Sequence, residues 1–358
     1  MKHILVYGMT DNFGGMEAYI YNVYQHLDRT QIQFDFVCDF PQMTLSDYYL
    51  ENGCKIHFIP PKSQSLLKSL WSMWKVIKEN NYDVIYFNIM NAGYVLNMIP
   101  AFLLGKKIVA HSHNADTDKK FLHYRLRGFL NFIAKMKLAC TKAAADFMFG
   151  KIENCILIKN GIDLDKYQYS FGMYKSIRNR LGWNLDSKFV LYVARMDNQK
   201  NPFFALNIAK KINQLDPSVH FIYVGDGPMR NEVFNYIAEN NVNNIHLLGI
   251  RHDVNELMIA SDALILPSLF EGLGIVAIEA QAAALPVFLS DTIPLDAKIL
   301  DTTEFLPIEK SENVDLWASK VVNTVNNNMP RKSDKVILAK AGYDIKAVAK
   351  QLQSILLN

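Results

Sequence analysis

Two carboxylates flank a short turn that contains glycines. Glu271 and Glu279 stand eight positions apart, and Gly272 and Gly274 lie between them. The pattern predicts a strand that ends at Leu266, then the turn, then an apolar helix. Glycines let a ligand approach the backbone, and the free N–H groups of a helix N-terminus suit hydroxyls or a phosphate. On a helix this spacing is about two turns, so both carboxylates are expected on one side. Carboxylates suit sugar hydroxyls, and the pattern therefore predicts a sugar-nucleotide site.

A purely structural explanation of the two acids is the alternative. Glu271 would then cap the helix and Glu279 would lie on its surface, because helix N-termini favour acids. Glu279, however, stands among apolar residues, where a charged side chain without a binding partner is unfavourable. These neighbours are Ile275, Val276, Ala277, Ile278, Ala280, Ala282, Ala283 and Ala284. The environment of Glu279 therefore favours the functional interpretation.

Two cations lie in a predicted loop between a strand and a helix. The strand is expected to end at Ala194, and Pro202 is a good first residue for the helix that follows. Arg195 and Lys200 lie between them, at a strand edge where ligands gather. An arginine can hold phosphate oxygens with two parallel hydrogen bonds, and a lysine supplies a mobile point charge. The alternative is a pair of solvated loop cations.

Together these motifs resemble those of the retaining, GT-B-fold glycosyltransferases of family 4, and the resemblance extends over nearly the whole chain. The most similar members are bacterial exopolysaccharide and capsular-polysaccharide enzymes. The resemblance implies an α/β fold of two Rossmann-like, doubly wound domains facing across a cleft, with a C-terminal helix crossing back to the first. It also implies transfer of a sugar, with retention of configuration, from a nucleoside diphosphate sugar to a lipid-linked or saccharide acceptor. We expect uridine diphosphate as the carrier.

The resemblance also assigns roles to residues. Glu279 would hold the ribose hydroxyls, Glu271 would face the donor sugar and diphosphate, and Arg195 and Lys200 would neutralise the leaving diphosphate. The implied catalytic residues are His113, Arg195, Lys200 and Glu271. The implied donor-binding residues are Gly14, Gly15, Arg195, Lys200, Gly225, Gly227, Ile250, Arg251, Glu271, Gly272, Leu273, Gly274, Ile275 and Glu279. Family members are usually described without a protein nucleophile, so the leaving diphosphate itself is expected to receive the acceptor's proton.

Two of these groups are glycine turns after predicted strands. Glycines at such turns let backbone N–H groups meet a phosphate. The first turn, at Gly14 and Gly15, does not have the spacing of a dinucleotide fingerprint. Asp39 lies where a dinucleotide fold would place its ribose-binding acid, but without that fingerprint an NAD site is disfavoured. The second turn, at Gly225 and Gly227, would be an ordinary turn without the resemblance.

His111 and His113 follow a predicted strand and could point to one side of an extended segment. The resemblance places an active-site histidine here, and His113 is the better match, with His111 as the second choice. A structural histidine is the alternative. A zinc pair lacks a third ligand at suitable spacing. Asp116 and Asp118 form a D-x-D tripeptide, but it does not end a strand, and we expect no metal cofactor.

Strands alternate with helices in both halves, which predicts parallel sheets with crossover helices. The predicted strands are residues 3–7, 33–38, 55–59, 84–87, 107–111 and 155–159, then 189–194, 220–224, 245–248, 263–266 and 287–290. We expect an acceptor-binding domain over residues 1–165, joined by a helix over about residues 343–358. A nucleotide-sugar-binding domain is expected over residues 186–342. Residues 163–187, with a helix at 173–181, are interpreted as a connector, and the Asn160-Gly161 turn as a hinge.

The composition of the chain limits the classes of partner and the cellular location that we expect. The chain has 358 residues, half of them hydrophobic, and a net charge of +3, which argues against nucleic acid as the main partner. Four cysteines without metal spacing suggest a reduced, cytoplasmic protein. The start of the chain lacks the features of a signal peptide, and no apolar stretch is long enough to span a membrane.

Two basic, aromatic runs cover residues 62–78 and 119–142. Basic amphipathic helices bind anionic membrane surfaces, so we expect reversible docking on the inner face of the cytoplasmic membrane. The alternative is an ordinary packed helix with a solvated face.

Two rival functions share the expected fold. A sugar-nucleotide 2-epimerase would act on the donor without an acceptor. A non-catalytic subunit would bind the sugar nucleotide without transferring or hydrolysing it. The complete set of Arg195, Lys200, Glu271 and Glu279 argues against a non-catalytic subunit.

Overall fold

The computed structural model describes residues 1–150, 155–240, 242–327 and 330–358. The chain divides into two compact units. The first unit comprises Met1–Ile162 together with Gly342–Asn358, and the second comprises Asp163–Ala341. The chain therefore leaves the first unit once and returns to it near the C-terminus.

The first unit contains a parallel sheet with the strand order β3-β2-β1-β4-β5-β6-β7. Its strands are β1 (Lys2–Tyr7), β2 (Ile32–Cys38), β3 (Ile56–Phe58), β4 (Val84–Ile89), β5 (Lys107–Ser112), β6 (Met136–Ala139) and β7 (Ile156–Leu157). The order reverses direction between β1 and β4, as in doubly wound nucleotide-binding folds. Because side chains alternate across a strand, Ile4 and Val6 enter one core while Leu5 and Tyr7 enter the other.

Helices cover both faces of this sheet. They are α1 (Gly15–Gln25), α2 (Ser46–Glu51), α3 (Leu66–Glu79), α4 (Val95–Leu103), α5 (Lys120–Ile133), α6 (Lys142–Phe149) and, at the C-terminal end of the chain, α14 (Ile345–Leu357), with a 3-10 turn at Ala92–Tyr94. Helices α1 and α14 contribute to one core, and α3, α4 and α5 contribute to the other. Gly161 lies against α14, where a Cβ would stand 2.9 Å from the Ile345 Cα. The Asn160-Gly161 turn therefore lets the returning helix approach.

The second unit repeats the architecture with the strand order β10-β9-β8-β11-β12-β13. Its strands are β8 (Lys188–Val193), β9 (Val219–Val224), β10 (Ile245–Gly249), β11 (Ala263–Leu266), β12 (Val287–Ser290) and β13 (Thr303–Leu306). Its helices are α7 (Phe171–Leu181), α8 (Pro202–Leu215), α9 (Arg230–Glu239), α10 (Val254–Ala260), α11 (Ile275–Ala282), α12 (Asn313–Asn326) and α13 (Lys335–Lys340), with 3-10 turns at Leu164–Tyr167, Asn198–Lys200 and Leu295–Ala297. Here the order reverses between β8 and β11.

Several elements differ from the sequence-based expectation. Strands β6 and β13 were not predicted, and residues 119–142 form a helix, a strand and the start of α6 rather than one helical run. The predicted connector belongs to the second unit, where α7 packs against α10. Its Arg178 is fully buried and pairs with Asp262 at 2.6 Å. Among the described residues, no helix combines the length and apolar character needed to cross a membrane.

Candidate active site

The loops that follow β8 and β11 meet at the point where the second sheet reverses its order. The Lys200 Nζ lies 2.5 Å from the Glu271 Oε1, and the Ser268 hydroxyl donates a 2.7 Å hydrogen bond to the same oxygen. The side chains of Lys200 and Glu271 are 22% and 7% exposed. Ligands bind beyond the carboxyl ends of strands at such a reversal. The structure therefore joins two residues that the sequence predicted from separate motifs.

The backbone around Lys200 is held from several sides. The Tyr192 hydroxyl donates to the Lys200 carbonyl at 2.5 Å. The Gln199 side chain donates to the Phe270 carbonyl at 3.0 Å. Asn201 adopts a left-handed conformation, with φ of 58°, which costs energy in a residue that is not glycine. These contacts hold the Lys200 backbone beside the Glu271 loop.

Arg195 is more exposed than Lys200. Its side chain is 63% exposed, and its Nε lies 3.8 Å from the Asp197 carboxylate. Asp197 also accepts a 3.1 Å hydrogen bond from the Lys200 backbone N–H, so it caps the turn that carries the lysine. The loop thus offers one fixed cation and one exposed cation.

Glu279 occupies a different setting from Glu271. Helix α11 begins at Ile275, so only Glu279 lies on it and Glu271 precedes it in the loop. The expectation that helical spacing aligns both acids is therefore wrong. Glu279 is partly buried and accepts a 2.9 Å hydrogen bond from the Tyr167 hydroxyl. Burial raises the pKa of its carboxyl to about 7.

The turn between the two acids has the backbone conformation that glycine permits. Gly274 precedes α11 with φ of 76°, in the left-handed region. Its carbonyl accepts a 2.8 Å hydrogen bond from the Ala277 N–H. Gly272 and Leu273 are buried, while Ile275 opens the helix and is partly buried. The N-terminus of α11 thus begins directly after the loop that carries Glu271.

The turn at Gly225 and Gly227 packs against the loop that carries Arg195. A Cβ on Gly225, which has φ of 137°, would stand 2.0 Å from the Ala194 carbonyl oxygen, and a Cβ on Gly227 would stand 2.5 Å from the Met196 carbonyl oxygen. Backbone hydrogen bonds tie the same segments, including Met196 N–H to the Asp226 carbonyl at 3.0 Å. Both glycines are therefore explained by close backbone packing beside Arg195.

Ile250 and Arg251 follow strand β10. Arg251 makes two hydrogen bonds, of 2.8 and 2.6 Å, with the Asp253 carboxylate. This pairing lowers the pKa of Asp253. Ile250 is 69% exposed. The neighbouring Asp253 carboxylate therefore holds the orientation of the Arg251 guanidinium.

In the first unit, a buried acid in the first turn of α1 contacts the turn that follows β1. Helix α1 begins at Gly15, and the Gly14 N–H donates to the Glu17 carboxylate at 3.1 Å. The Thr10 hydroxyl donates to the other oxygen at 2.8 Å. Burial raises the pKa of Glu17. Glu17 thus orders the glycine turn.

His113 lies directly after β5, between two asparagines. Its Nε2 is 2.9 Å from the Asn88 Oδ1, and its Nδ1 is 3.3 Å from the Asn160 Oδ1. Burial lowers the pKa of His113 to about 4, so the ring is neutral near pH 7. His111 is fully buried, and its Nδ1 lies 2.6 Å from the Tyr86 hydroxyl. His113 therefore retains slight exposure and His111 has none.

Three residues that hydrogen-bond to the predicted site residues were not themselves predicted from the sequence. Asn88 is a polar residue in an otherwise apolar strand, and this contrast could have signalled it. Tyr167 ends a 3-10 turn and Ser268 lies in a loop, and only the fold brings them to the two acids. No local pattern in the sequence distinguishes them.

Two other acids considered in the sequence analysis, Asp116 and Asp39, contact neighbouring side chains. Asp116 lies 3.2 Å from the Lys120 ammonium. Asp39 accepts a 2.8 Å hydrogen bond from the Tyr7 hydroxyl. Within the described ranges, no three His, Cys, Asp or Glu side chains are grouped as a metal site.

Comparison with known proteins identifies the family. Residues 173–356 match the family model for glycosyl transferases group 1, and residues 13–166 match the model for glycosyltransferase family 4. The chain belongs to the group 1 glycosyl transferases, with an amino-terminal half of the family 4 type. It is thus a glycosyltransferase by family.

Two relatives illustrate the range of similar sequences. EpsF of Bacillus subtilis (strain 168), a glycosyltransferase by name, is 29% identical over 97% of this chain and 93% of its own length. The UDP-Gal:alpha-D-GlcNAc-diphosphoundecaprenol alpha-1,3-galactosyltransferase of Escherichia coli is 29% identical over 77% of this chain and 76% of its own.

Solved structures confirm the fold. Anabaena Alr3699/HepE, in complex with UDP-glucose, superposes with a TM-score of 0.79 at 20% identity over 99% of both chains. WaaG, a glycosyltransferase involved in lipopolysaccharide biosynthesis, gives 0.72 at 18% identity over 99% of both. The predicted GT-B fold, with two α/β units that each contain a parallel sheet, is therefore confirmed.

Proposed function

We propose that this protein transfers a sugar from a uridine diphosphate sugar to a lipid-linked or saccharide acceptor in the synthesis of a cell-surface polysaccharide, with retention of configuration. The Lys200–Glu271 pair carries the proposal, because it places a fixed cation beside a fixed carboxylate at the carboxyl edge of the second sheet. The E. coli relative, which uses a UDP-linked sugar and a diphosphoundecaprenol-linked acceptor by its name, supports the choice of substrates.

The proposed chemistry relies on positioning and charge. Departure of the nucleoside diphosphate develops negative charge on its leaving oxygen, and a preorganised cation stabilises that charge. Lys200 supplies this fixed charge, and the exposed Arg195 folds over the diphosphate as a second donor. Glu271 orients the Lys200 ammonium and accepts a hydrogen bond from a donor-sugar hydroxyl. The acceptor's proton passes to the leaving phosphate as the new glycosidic bond forms.

Glu279 binds the other end of the donor in this proposal. An ionised carboxylate accepts hydrogen bonds from both ribose hydroxyls. Its pKa near 7 means that donor binding strengthens as the pH rises through neutrality.

Replacing Lys200 by glutamine tests the proposal. We expect Lys200→Gln to lower kcat on the order of 10²-fold or more, because one fixed donor to the developing charge is lost. Turnover is measured by release of uridine diphosphate in the presence of acceptor. Lys320→Gln, which breaks a partly exposed pair with Glu304, is the matched control and should leave kcat unchanged. Unaltered turnover in a folded Lys200→Gln protein would contradict the assignment.

Product analysis addresses the reaction class. Transfer requires an acceptor and gives a new glycoside, whose anomeric configuration can be read by nuclear magnetic resonance. An epimerase would instead alter the donor with no acceptor present. A binding subunit would be stabilised by the donor but give neither product. An inverted anomer would contradict the retaining mechanism while leaving the transferase assignment intact.

The proposal includes reversible binding to an anionic membrane. Helices α3, α4 and α5 pack in succession, and they expose a set of apolar side chains that we call the aromatic surface. The aromatic surface consists of Leu67, Trp71, Phe102, Leu103, Phe121 and Phe132. Phe102 and Phe132 pack together across α4 and α5, with ring centroids 5.6 Å apart. Lys75 and Arg125 lie over the Trp71 and Phe121 rings, which suits an interface between headgroups and acyl chains.

A double substitution tests membrane binding. We expect Phe121→Ser with Phe132→Ser to weaken sedimentation with vesicles of phosphatidylcholine and phosphatidylglycerol at least tenfold, because each buried phenyl group contributes up to about 3 kcal/mol. Phe171→Ser with Phe234→Ser removes two exposed phenyl groups of the second unit and should have no effect. Equal vesicle binding by both double variants would reject the aromatic surface as the contact.

A further inference from the structure

A pocket of about 510 Å³ lies beside α5 in the first unit and is not part of the candidate active site. Its lining residues are Tyr124, Arg127, Gly128, Asn131, Lys137, Phe149 and Gly150. They come from the middle of α5, from β6 and from the end of α6. The pocket is therefore built by three elements of the fold rather than by one surface loop.

The pocket occupies one flank of α5. Its helical residues stand at positions i, i+3, i+4 and i+7, which places them on one stripe of the helix. Phe132, which contacts α4 through Phe102, lies on a neighbouring stripe. Tyr124 is itself 56% exposed. The pocket therefore opens next to the aromatic surface.

The α5 and α6 sides of the pocket are joined by a hydrogen bond. The Asn131 side chain donates a 2.9 Å hydrogen bond to the Phe149 carbonyl, which ties α5 to the end of α6. Gly150 has φ of 79°, and a Cβ at this position would stand 3.3 Å from the Arg127 Cζ. The C-terminal glycine of α6 thus leaves room for the guanidinium.

Two cations line the pocket without a carboxylate partner among the described residues. The Arg127 Cζ lies 5.3 Å from the centre of the Tyr124 ring, and the Lys137 Nζ lies 6.0 Å from the centre of the Phe149 ring. Aromatic rings hold cations in place but do not neutralise them. A planar guanidinium and a mobile ammonium together suit a phosphate group.

We propose that this pocket binds the phosphodiester of an anionic phospholipid headgroup. The inference rests on the membrane binding in the proposed function and names its lipid contact. If the aromatic surface enters the membrane interface, a pocket on the flank of the same helix lies at the depth of the headgroup phosphates. The charge of the pocket, its aromatic wall and its position all match a lipid phosphate.

Short-chain phosphatidylglycerol, used below its micelle concentration, tests the pocket without a membrane. We expect saturable binding by the intact protein, measured by calorimetric titration. Arg127→Gln with Lys137→Gln should weaken binding at least tenfold. Arg127→Lys alone keeps the charge but loses the planar fork, and should weaken binding by a smaller factor. Lys210→Gln with Lys211→Gln removes two charges from the second unit and should leave binding unchanged.

Other outcomes would overturn the inference. Equal losses in the two glutamine double variants would mean that lipid binding follows overall charge rather than this pocket. Inorganic phosphate or glycerol phosphate binding as tightly as the short-chain lipid would identify a site for free phosphate. Thermal unfolding of each variant separates lost binding from lost folding.

The same variants distinguish this inference from the proposed membrane binding. If the intact protein does not bind anionic vesicles at all, the membrane part of the proposed function fails. If it binds vesicles, and Arg127→Gln with Lys137→Gln binds them equally well, only the headgroup pocket fails.

Discussion

At the scale of single residues, Glu279 shows a conflict between binding and stability. Its carboxyl pKa is raised from 4.5 to about 7 by burial, so the folded protein holds a proton that the unfolded chain has released. Between those two pH values, stability falls as the pH rises, because the carboxyl releases its proton only when the chain unfolds. A charged donor-binding residue therefore costs folding free energy under the conditions in which it functions.

This conflict gives a prediction about pH. Glu279→Gln should raise the free energy of unfolding at pH 8, by up to about 3 kcal/mol, because the amide cannot ionise yet can still accept from Tyr167. At pH 4 the gain should nearly vanish, since the Glu279 carboxyl is then mostly protonated in both the folded and the unfolded protein. Chemical denaturation at the two pH values measures the difference. An equal effect at both would contradict the raised pKa.

The site residues differ in how far the sequence could reveal them. Lys200 and Glu271 were predicted because each lies in a loop with a recognisable type and spacing, and the fold joins them. Their catalytic roles stay predictions. Gly225 was predicted to lie near the nucleotide, and the structure gives it a packing role against Ala194. Tyr167 was missed because a hydrogen bond across 112 positions leaves no local pattern.

At the scale of secondary structure elements, one arginine joins two helices of the second unit. The Arg331 guanidinium donates to five backbone carbonyls at the ends of α10 and α11, those of Met258, Ile259, Ser261, Ala283 and Ala284. Helix C-termini leave such carbonyls without intrahelical partners. Burial lowers the pKa of Arg331 to about 10, which leaves it charged near neutrality. Arg331 thus fixes the end of the helix that carries Glu279.

Removing this arginine should destabilise the second unit. We expect Arg331→Met to lower the free energy of unfolding on the order of 3 kcal/mol, because buried carbonyls lose a charged donor. Urea denaturation measures the change. The adjacent Lys332 is exposed, and Lys332→Met should change stability by less than about 0.5 kcal/mol. Similar values for the two variants would show that the carbonyls find other partners.

The elements themselves were predicted unevenly. Long apolar strands such as β1 and β4 were identified because their side chains are buried on both faces. Strand β6 was missed since Met136–Ala139 has four residues, includes Lys137 and follows a strongly periodic helix. Its place in the sheet comes from pairing with β5 and β7, and such long-range pairing is not visible in a local window.

At the scale of the whole molecule, α14 completes the core of the first unit. Its inward residues Ile345, Val348, Leu352 and Leu356 are buried with the α1 side chains. The Ile162 N–H donates to the Tyr343 carbonyl at 2.9 Å, which anchors the start of this segment. The amphipathic pattern of the tail indicated a helix, whereas its attachment to the first domain was implied only by family resemblance.

The packing of α14 gives a prediction for the first unit. Leu352→Ala should cost about 2–5 kcal/mol of unfolding free energy, because it leaves a cavity in a fully buried site. Lys350→Ala, on the exposed side of the same helix, should be nearly neutral. Denaturation followed by a probe in the first unit measures both changes. A neutral Leu352→Ala would mean that the core does not depend on this helix.

The return of the chain to the first unit also has a consequence for synthesis. Domains generally fold as they emerge from the ribosome, in order from the N-terminus. Here the segment Gly342–Asn358 is translated only after the entire second unit. Until then the nascent first unit exposes the apolar strip on α1 that α14 later covers. The second unit can therefore complete its folding before α14 is available to complete the core of the first unit.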